Sequence, residues 1–300
     1  KPFFRFLIIF KLYFAYRVDI YIFKIMADRI IKSNKIRIGD ISISYYIKKA
    51  TEQPEKTIIF LHGFPFNKKM WREQLESLED NVTGIAIDIR GHGNTTKGHG
   101  FFSVDVFAKD LGVFMRKLEI DKAVLCGISM GGYIALRAYQ LFPEKISGLI
   151  LADTHSKPDD NAGKQKRFDA IQAVLQYGRR PYAIGFTGNV FSKKSIENKP
   201  DAVELIKSSI RRNSIESICS TLLALASRTD TTEVLSKINV PTLIVRGKED
   251  KITPAELMEE LNKNIKGSKY IEMADCGHLP NLENPEDFNL HMNKLLLEVV

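Results

Sequence analysis

Residues 124–136 read VLCGISMGGYIAL, an apolar run that meets Gly127, Ser129, Gly131 and Gly132 just where helical periodicity begins. A serine set among glycines at the end of a strand suits nucleophilic chemistry. A tight strand-to-helix turn lifts the hydroxyl above a sheet, and only small neighbours let the backbone close so sharply. By itself the pentapeptide GISMG is also what a plain glycine turn looks like. The nucleophilic reading makes demands on distant residues: a base to take the hydroxyl proton, an acid to orient that base, and N–H donors for the oxyanion.

Six histidines compete for the base. His278, in MADCGHLPNLENP, falls in a loop between the last strand-like run and the last helix-like run, where loops at strand C-terminal ends converge. His62 stands beside Gly63 after the first core strand, where it suits loop shaping. His92 and His99 lie in a Gly-rich loop, His155 opens the middle segment, and His291 sits on a helix face. For the acid, Asp250 ends VPTLIVRGKED and Asp153 follows GLILA, so both end strands on the same side. Asp250 is the first choice, Asp153 the alternative acid, and Glu249 lies next to the former. The backbone N–H groups of Met130 and Phe64, the latter in HGFPF, are the candidate oxyanion donors. His62, Phe64, Met130, His155 and Phe186 are the candidate pocket residues.

Such residues need a rigid frame. KIRIGDISISYYIK alternates apolar and polar positions around Gly39-Asp40 and predicts a hairpin. Short apolar strands are predicted at 57–63, within 82–93 (a strand and its loop), and at 122–127, 146–153, 240–247 and 268–273, with helices at 68–80, 103–120, 132–142, 253–265 and 284–299. Strands alternating with longer helices predict a mostly parallel three-layer α/β fold. Residues 154–235 break that rhythm and read as a helical cap inserted over one sheet edge. RRPYAIGFTGNVFS is expected to interrupt it, because Pro181, Gly185 and Gly188 disfavour a helix. The core is then 26–153 and 236–300.

The 300 residues carry a net charge of +8. No basic recognition helix, zinc-ligand spacing or aromatic-basic platform points to nucleic acid. Cys126, Cys219 and Cys276 show no metal-like spacing and read as reduced thiols of a cytoplasmic protein. No purposeful ligand cluster implies a metal or an organic cofactor. Residues 1–25 form an atypical apolar-basic extension, with Lys1, Arg5, Lys11, Arg17 and Lys24 against Asp19 alone. Their charges interrupt every run long enough to span a lipid bilayer. Two expectations follow: a chain starting at Met26 folds and works, or the segment is an amphipathic helix making weak peripheral membrane contact.

With LHGFP, DIRGHG, GISMGG, VRGKEDKITP and GHLPNLENP in series, residues 36–298 resemble the α/β-hydrolase superfamily. LADTHSKPD adds a resemblance to small-cap bacterial carboxylesterases and 3-oxoadipate enol-lactonases. The resemblance implies an eight-stranded, mostly parallel sheet with a helical lid, and catalytic roles for Ser129, Asp250 and His278 through an acyl-enzyme. Asn94 departs from the small residue usual after RGHG. A serine at 129 argues against haloalkane dehalogenases and epoxide hydrolases, which use an aspartate there. The expected activity is hydrolysis of a small-molecule ester or lactone. Enol-lactonase, thioesterase, C–C hydrolase and perhydrolase chemistry fit the same residues, and a slow-turnover ligand receptor is the rival of another class.

Overall fold

The computed structural model describes residues 30–53 and 55–299. The expectations for residues 1–25 lie outside these. Eight strands form one sheet: β1 (Lys32–Ile38), β2 (Ile41–Lys48), β3 (Lys56–Leu61), β4 (Val82–Ile87), β5 (Ala123–Ile128), β6 (Ile146–Ala152), β7 (Thr242–Gly247) and β8 (Lys269–Met273). Their spatial order is β1-β2-β4-β3-β5-β6-β7-β8. β1 and β2 make the predicted hairpin through Gly39-Asp40, with Gly39 at a φ of 51°. β2 runs antiparallel to β4, and every pairing from β4 to β8 is parallel.

Side chains alternate across the sheet, so each face has its own core. Ile59, Leu61, Leu125 and Leu149 join one apolar cluster, and Ile58, Phe60, Val124 and Ile150 join the other. After a short helix α1 (Arg72–Glu76), the helices α2 (Val104–Lys117) and α3 (Met130–Leu141) pack on the first face. α2 is capped by the Ser103 hydroxyl, which accepts from the Val106 N–H, and has Asp105 in its first turn and Arg116 and Lys117 in its last. Those charges oppose the helix dipole. Its buried stripe of Phe107, Leu111, Phe114 and Met115 contributes roughly 1.5–3 kcal/mol per side chain.

Between β6 and β7 the chain makes six helices, the first five being α4 (Asn161–Tyr177), α5 (Arg179–Val190), α6 (Lys193–Asn198), α7 (Pro200–Arg212) and α8 (Ile215–Ala226). Then come α9 (Thr232–Leu235), α10 (Ala255–Asn264), α11 (Pro280–Glu283) and α12 (Pro285–Glu298), the last packing on the second face. No described helix is long and apolar enough to cross a membrane.

Two expectations need correction. RRPYAIGFTGNVFS is not a break: residues 179–190 of it are α5. Pro181 occupies the third helical position, whose missing N–H would have no partner inside the helix anyway. A Cβ on Gly185 or Gly188 would meet nothing within 4 Å. Both glycines are therefore tolerated while Ala183, Thr187 and Val190 supply a buried stripe at helical spacing. The interruption lies earlier, at Gly178, where φ is 80°. The predicted helix at 68–80 is also shorter, being a 3₁₀ turn over Lys68–Trp71 followed by α1. Asn67 caps that turn by accepting from the Lys69 N–H, and Lys68 is drawn into the interior by an ion pair.

Candidate active site

Ser129 is the residue preceding α3, at a φ of 53° and a ψ of −117°. Serine at such a position ordinarily turns its hydroxyl onto the helix N–H groups. This one makes no capping bond, and it is half-buried while Ile128 and Met130 are fully enclosed. The strained turn thus leaves the hydroxyl available for chemistry. Its backbone is held by donation from Ser129 N to Ala152 O at 2.9 Å, and the Thr154 hydroxyl donates to Ser129 O at 2.8 Å. The glycines are required by contact: a Cβ at Gly131 would strike the Leu61 carbonyl, and one at Gly132 would strike Thr154.

The structure brings His278 and Asp250 together. His278 Nδ1 lies 2.9 Å from Asp250 Oδ2, with both residues buried. The second oxygen, Asp250 Oδ1, accepts from Ile252 N at 2.8 Å. Burial opposes ionisation of Asp250, but the facing His278 ring and its hydrogen bond outweigh it, holding this carboxyl below the usual range. Asp250 therefore fixes the ring with its proton on Nδ1, which leaves Nε2 as acceptor. No hydrogen bond joins Ser129 to His278 among the described residues; contacts of this kind commonly close only around a bound acyl group. Asp153, the alternative acid, lies against Asp250, and the nearest ligand-type atoms of Asp153, Asp250 and His278 are all within 4.8 Å of one another. With Asp250 already engaged by His278 and Ile252, this cluster is organised for holding protons.

The N–H of Met130 opens α3 and is one of the helix's four free donors, at the positive end of its dipole. The HGFPF loop packs beside it: a Cβ at Gly63 would lie 3.4 Å from Ile128 O. That loop rests on a network which sequence reasoning missed. Lys68 Nζ meets Asp88 Oδ2 at 2.5 Å and Ser44 Oγ at 3.0 Å, while Asp88 also accepts from the backbone N–H of Lys68 and Asn94. Asp88 opens DIRGHG, so this buried pair ties that motif to the turn that follows HGFPF. Arg90 in the same motif reaches both Asp40 and Asp110.

His62 is no pocket residue. Its Nδ1–H donates to Gly63 O at 2.9 Å and its Nε2 accepts from Ile89 N at 3.0 Å. Both nitrogens are spent on backbone, and burial, then the neighbouring His92, keep it neutral by pushing its pKa well below the usual value. Phe64 and Phe186 do meet, with ring centroids 6.2 Å apart, and Phe186 also packs on Phe66 and Tyr182. His155 stacks edgewise on Tyr133 and lies 3.4 Å from an Arg228 nitrogen; burial lowers its pKa to about 4. Cys126 and Cys276 are buried free thiols.

The helices between β6 and β7 bear directly on these loops. His278 N donates to Val190 O at 2.8 Å, and Asn213 Nδ2 donates to Pro65 O at 2.7 Å. Glu283 is a second missed residue. One of its carboxylate oxygens accepts from Gly277 N and Leu279 N, flanking the histidine, and the other from Ser192 N. It lies in the GHLPNLENP motif five residues after His278, but the sequence assigned it no role there.

Residues 56–285 match the profile described as the alpha/beta hydrolase fold. The 3-oxoadipate enol-lactonase 2 of Acinetobacter baylyi is 29% identical over 250 residues, covering 83% of this chain and 91% of that protein. A pimeloyl-(acyl-carrier protein) methyl ester esterase of Neisseria meningitidis serogroup B is 27% identical over 247 residues, covering 80% and 93%. Among solved structures, a thermophilic esterase from Thermogutta terrifontis superposes with a TM-score of 0.82 at 30% identity, covering 89% of this chain and 98% of that one.

Proposed function

The chain belongs to the alpha/beta hydrolase fold family and is a hydrolase, and on that premise we propose that it cleaves carboxylic esters of small molecules through an acyl-enzyme on Ser129. The observation that carries this reading is a serine at a φ of 53° whose hydroxyl caps nothing, set at the strand ends with a buried Asp250–His278 pair. Ser129 Oγ attacks the acyl carbon while Nε2 of His278 takes its proton. The N–H groups of Met130 and Phe64 hold the oxyanion. His278 returns the proton to the departing alcohol, and water repeats the attack to release the acid. The insertion 154–235 acts as a cap that limits water and selects the acyl group.

One observation favours an uncharged ester over a carboxylated lactone. The lactone reading calls for a cationic cap residue facing the site, with Arg167, Arg179, Arg180, Arg211, Arg212 and Arg228 as candidates, of which Arg228 alone is buried. Arg228, however, is paired with Asp159 at 2.6 Å and stacked 4.4 Å from the Tyr133 ring centre. Arg167 is drawn to the same Asp159. Phe64, Phe66, Tyr182 and Phe186 form an aromatic group suited to an apolar acyl chain. The test is a fluorophosphonate probe combined with a panel of nitrophenyl esters, enol-lactones and thioesters. Ser129 should be labelled and short or medium esters turned over, with both lost in S129A. Labelling that persists in S129A, or turnover confined to carboxylated lactones, would overturn the reading.

A further inference from the structure

Asp153 follows the last residue of β6 and is wholly buried. Its φ of 42° places a non-glycine residue in the left-handed region, a conformation that persists only where its surroundings hold it. Those restraints are visible. Asp153 N donates to Val245 O at 3.0 Å, the Thr253 hydroxyl donates to Asp153 O at 3.0 Å, and Gly247 N donates to Oδ1 at 2.9 Å. The other carboxyl oxygen, Oδ2, is shut off from solvent and finds no N–H or hydroxyl donor among the described residues.

Its neighbour is a second carboxylate. Oxygens of Asp153 and Asp250 and a ring nitrogen of His278 all fall within 4.8 Å of one another. An ionised, unpartnered oxygen there would be desolvated and repelled by Asp250 at once. A carboxylic acid reverses both effects, because its O–H gives the buried oxygen a partner and gives Asp250 a donor.

Building on the triad reading above, we propose that Asp153 is a positioning residue held as the neutral acid, its Oδ2–H donating to Asp250 so that this carboxylate stays ionised and aimed at Nδ1 of His278. No proton is transferred during turnover: Asp153 keeps its own, and Asp250 remains the anion that stabilises the imidazolium. Burial first, and then the charge of Asp250, push the Asp153 carboxyl well above the usual range, whereas Asp250 lies below it. The other ionisable groups acting on the pair are His278, Glu283 on α11, Cys276 in the histidine loop and Tyr270 on β8. The two aspartates end neighbouring strands, and their environments drive their protonation in opposite directions.

The test compares D153N with D153A in the full chain. An asparagine can keep both contacts, its oxygen for Gly247 N and its NH₂ for Asp250, without any charge. D153N should hold kcat within about threefold of the parent. D153A should lose roughly 10–100-fold in kcat at unchanged KM, the rate equivalent of one hydrogen bond to a charged group. If D153N falls as far as D153A, a negative charge at 153 is needed and the proposal fails. A second measurement needs no turnover: ¹³C NMR of aspartate-labelled protein, with the Asp153 carboxyl resonance assigned by its disappearance in D153N. A resonance that keeps the shift of a protonated carboxyl through neutral pH supports the proposal, and a carboxylate shift there overturns it. Failure of fluorophosphonate to label Ser129 would instead defeat the triad reading, while the NMR experiment still decides the state of Asp153.

Discussion

Replacing Asp250 with asparagine tests the geometry at the acid with almost no change in volume. In the parent, Oδ1 accepts from Ile252 N at 2.8 Å while Oδ2 faces His278 Nδ1 at 2.9 Å. The Ile252 N–H will select the amide oxygen of the new side chain. Its NH₂ group must then face Nδ1, and a donor there forces Nδ1 to become an acceptor. The single proton of the neutral ring moves to Nε2, which can no longer take the proton of Ser129. An inverted tautomer of this kind costs a serine-histidine-aspartate enzyme about 10⁴ in kcat, or about 5 kcal/mol of barrier. The assay is steady-state hydrolysis of a nitrophenyl ester at neutral pH, with a thermal melt to confirm folding. KM should stay near the parent value, because Asp250 touches the histidine and not the substrate. A loss smaller than about tenfold would refute the reasoning and point to Asp153 as the carboxyl that holds the ring.

Three further outcomes follow from the fold. K68M should lower stability by about 3–5 kcal/mol in urea titrations, since it strands the Asp88 carboxylate in the interior; adding D88N should recover part of that loss. G131A should abolish activity or folding, because its methyl group would occupy the space of the Leu61 carbonyl, whereas G185A in α5 should raise stability by about 0.5–1 kcal/mol. The side-chain hydrogen bond from Arg90, above all, holds the Asp40 carboxyl below the usual range. A depressed carboxylate stabilises the fold above its unfolded pKa of about 3.9 and loses that contribution as pH falls toward the folded value. D40N should therefore be less stable than the parent at neutral pH, with the gap in urea midpoint narrowing below about pH 4.

The residues that end strands were legible because parallel strands buried on both faces are uninterrupted apolar runs, as in AVLCGI and TLIVRG. Whatever follows such a run lies at the same edge of the sheet, which is how Ser129, Asp153, Asp250 and His278 could be named from order alone. Order could not assign different tasks to the two aspartates, because each follows a strand on the same side. Their roles separate only in space, where Asp250 reaches the ring and Asp153 reaches Asp250. The reading of residues 179–192 failed for a local reason. Proline and glycine were weighed as helix breakers without regard to position, yet Pro181 falls in the first turn and both glycines face open space. Lys68 was missed for another reason: it sits at the start of the helix predicted over 68–80, and its partner Asp88 lies twenty residues onward.

The contacts made by Glu283 alter what the insertion can be expected to do. An insertion that only roofed the pocket could be excised with more effect on substrate preference than on the placement of the catalytic groups. Here one carboxylate holds both the loop around His278 and the backbone of Ser192, at the start of α6. The backbone of His278 itself donates to Val190, the last residue of α5. Gly277 is packed so closely there that a Cβ would lie 2.7 Å from Ser192 N. Removing α4–α8 would leave the N–H of His278 without its acceptor and free half of the Glu283 carboxylate. The helices proposed to choose the acyl group and the histidine proposed to act on it are thus one mechanical unit, and a change in the insertion will register in kcat as well as in preference.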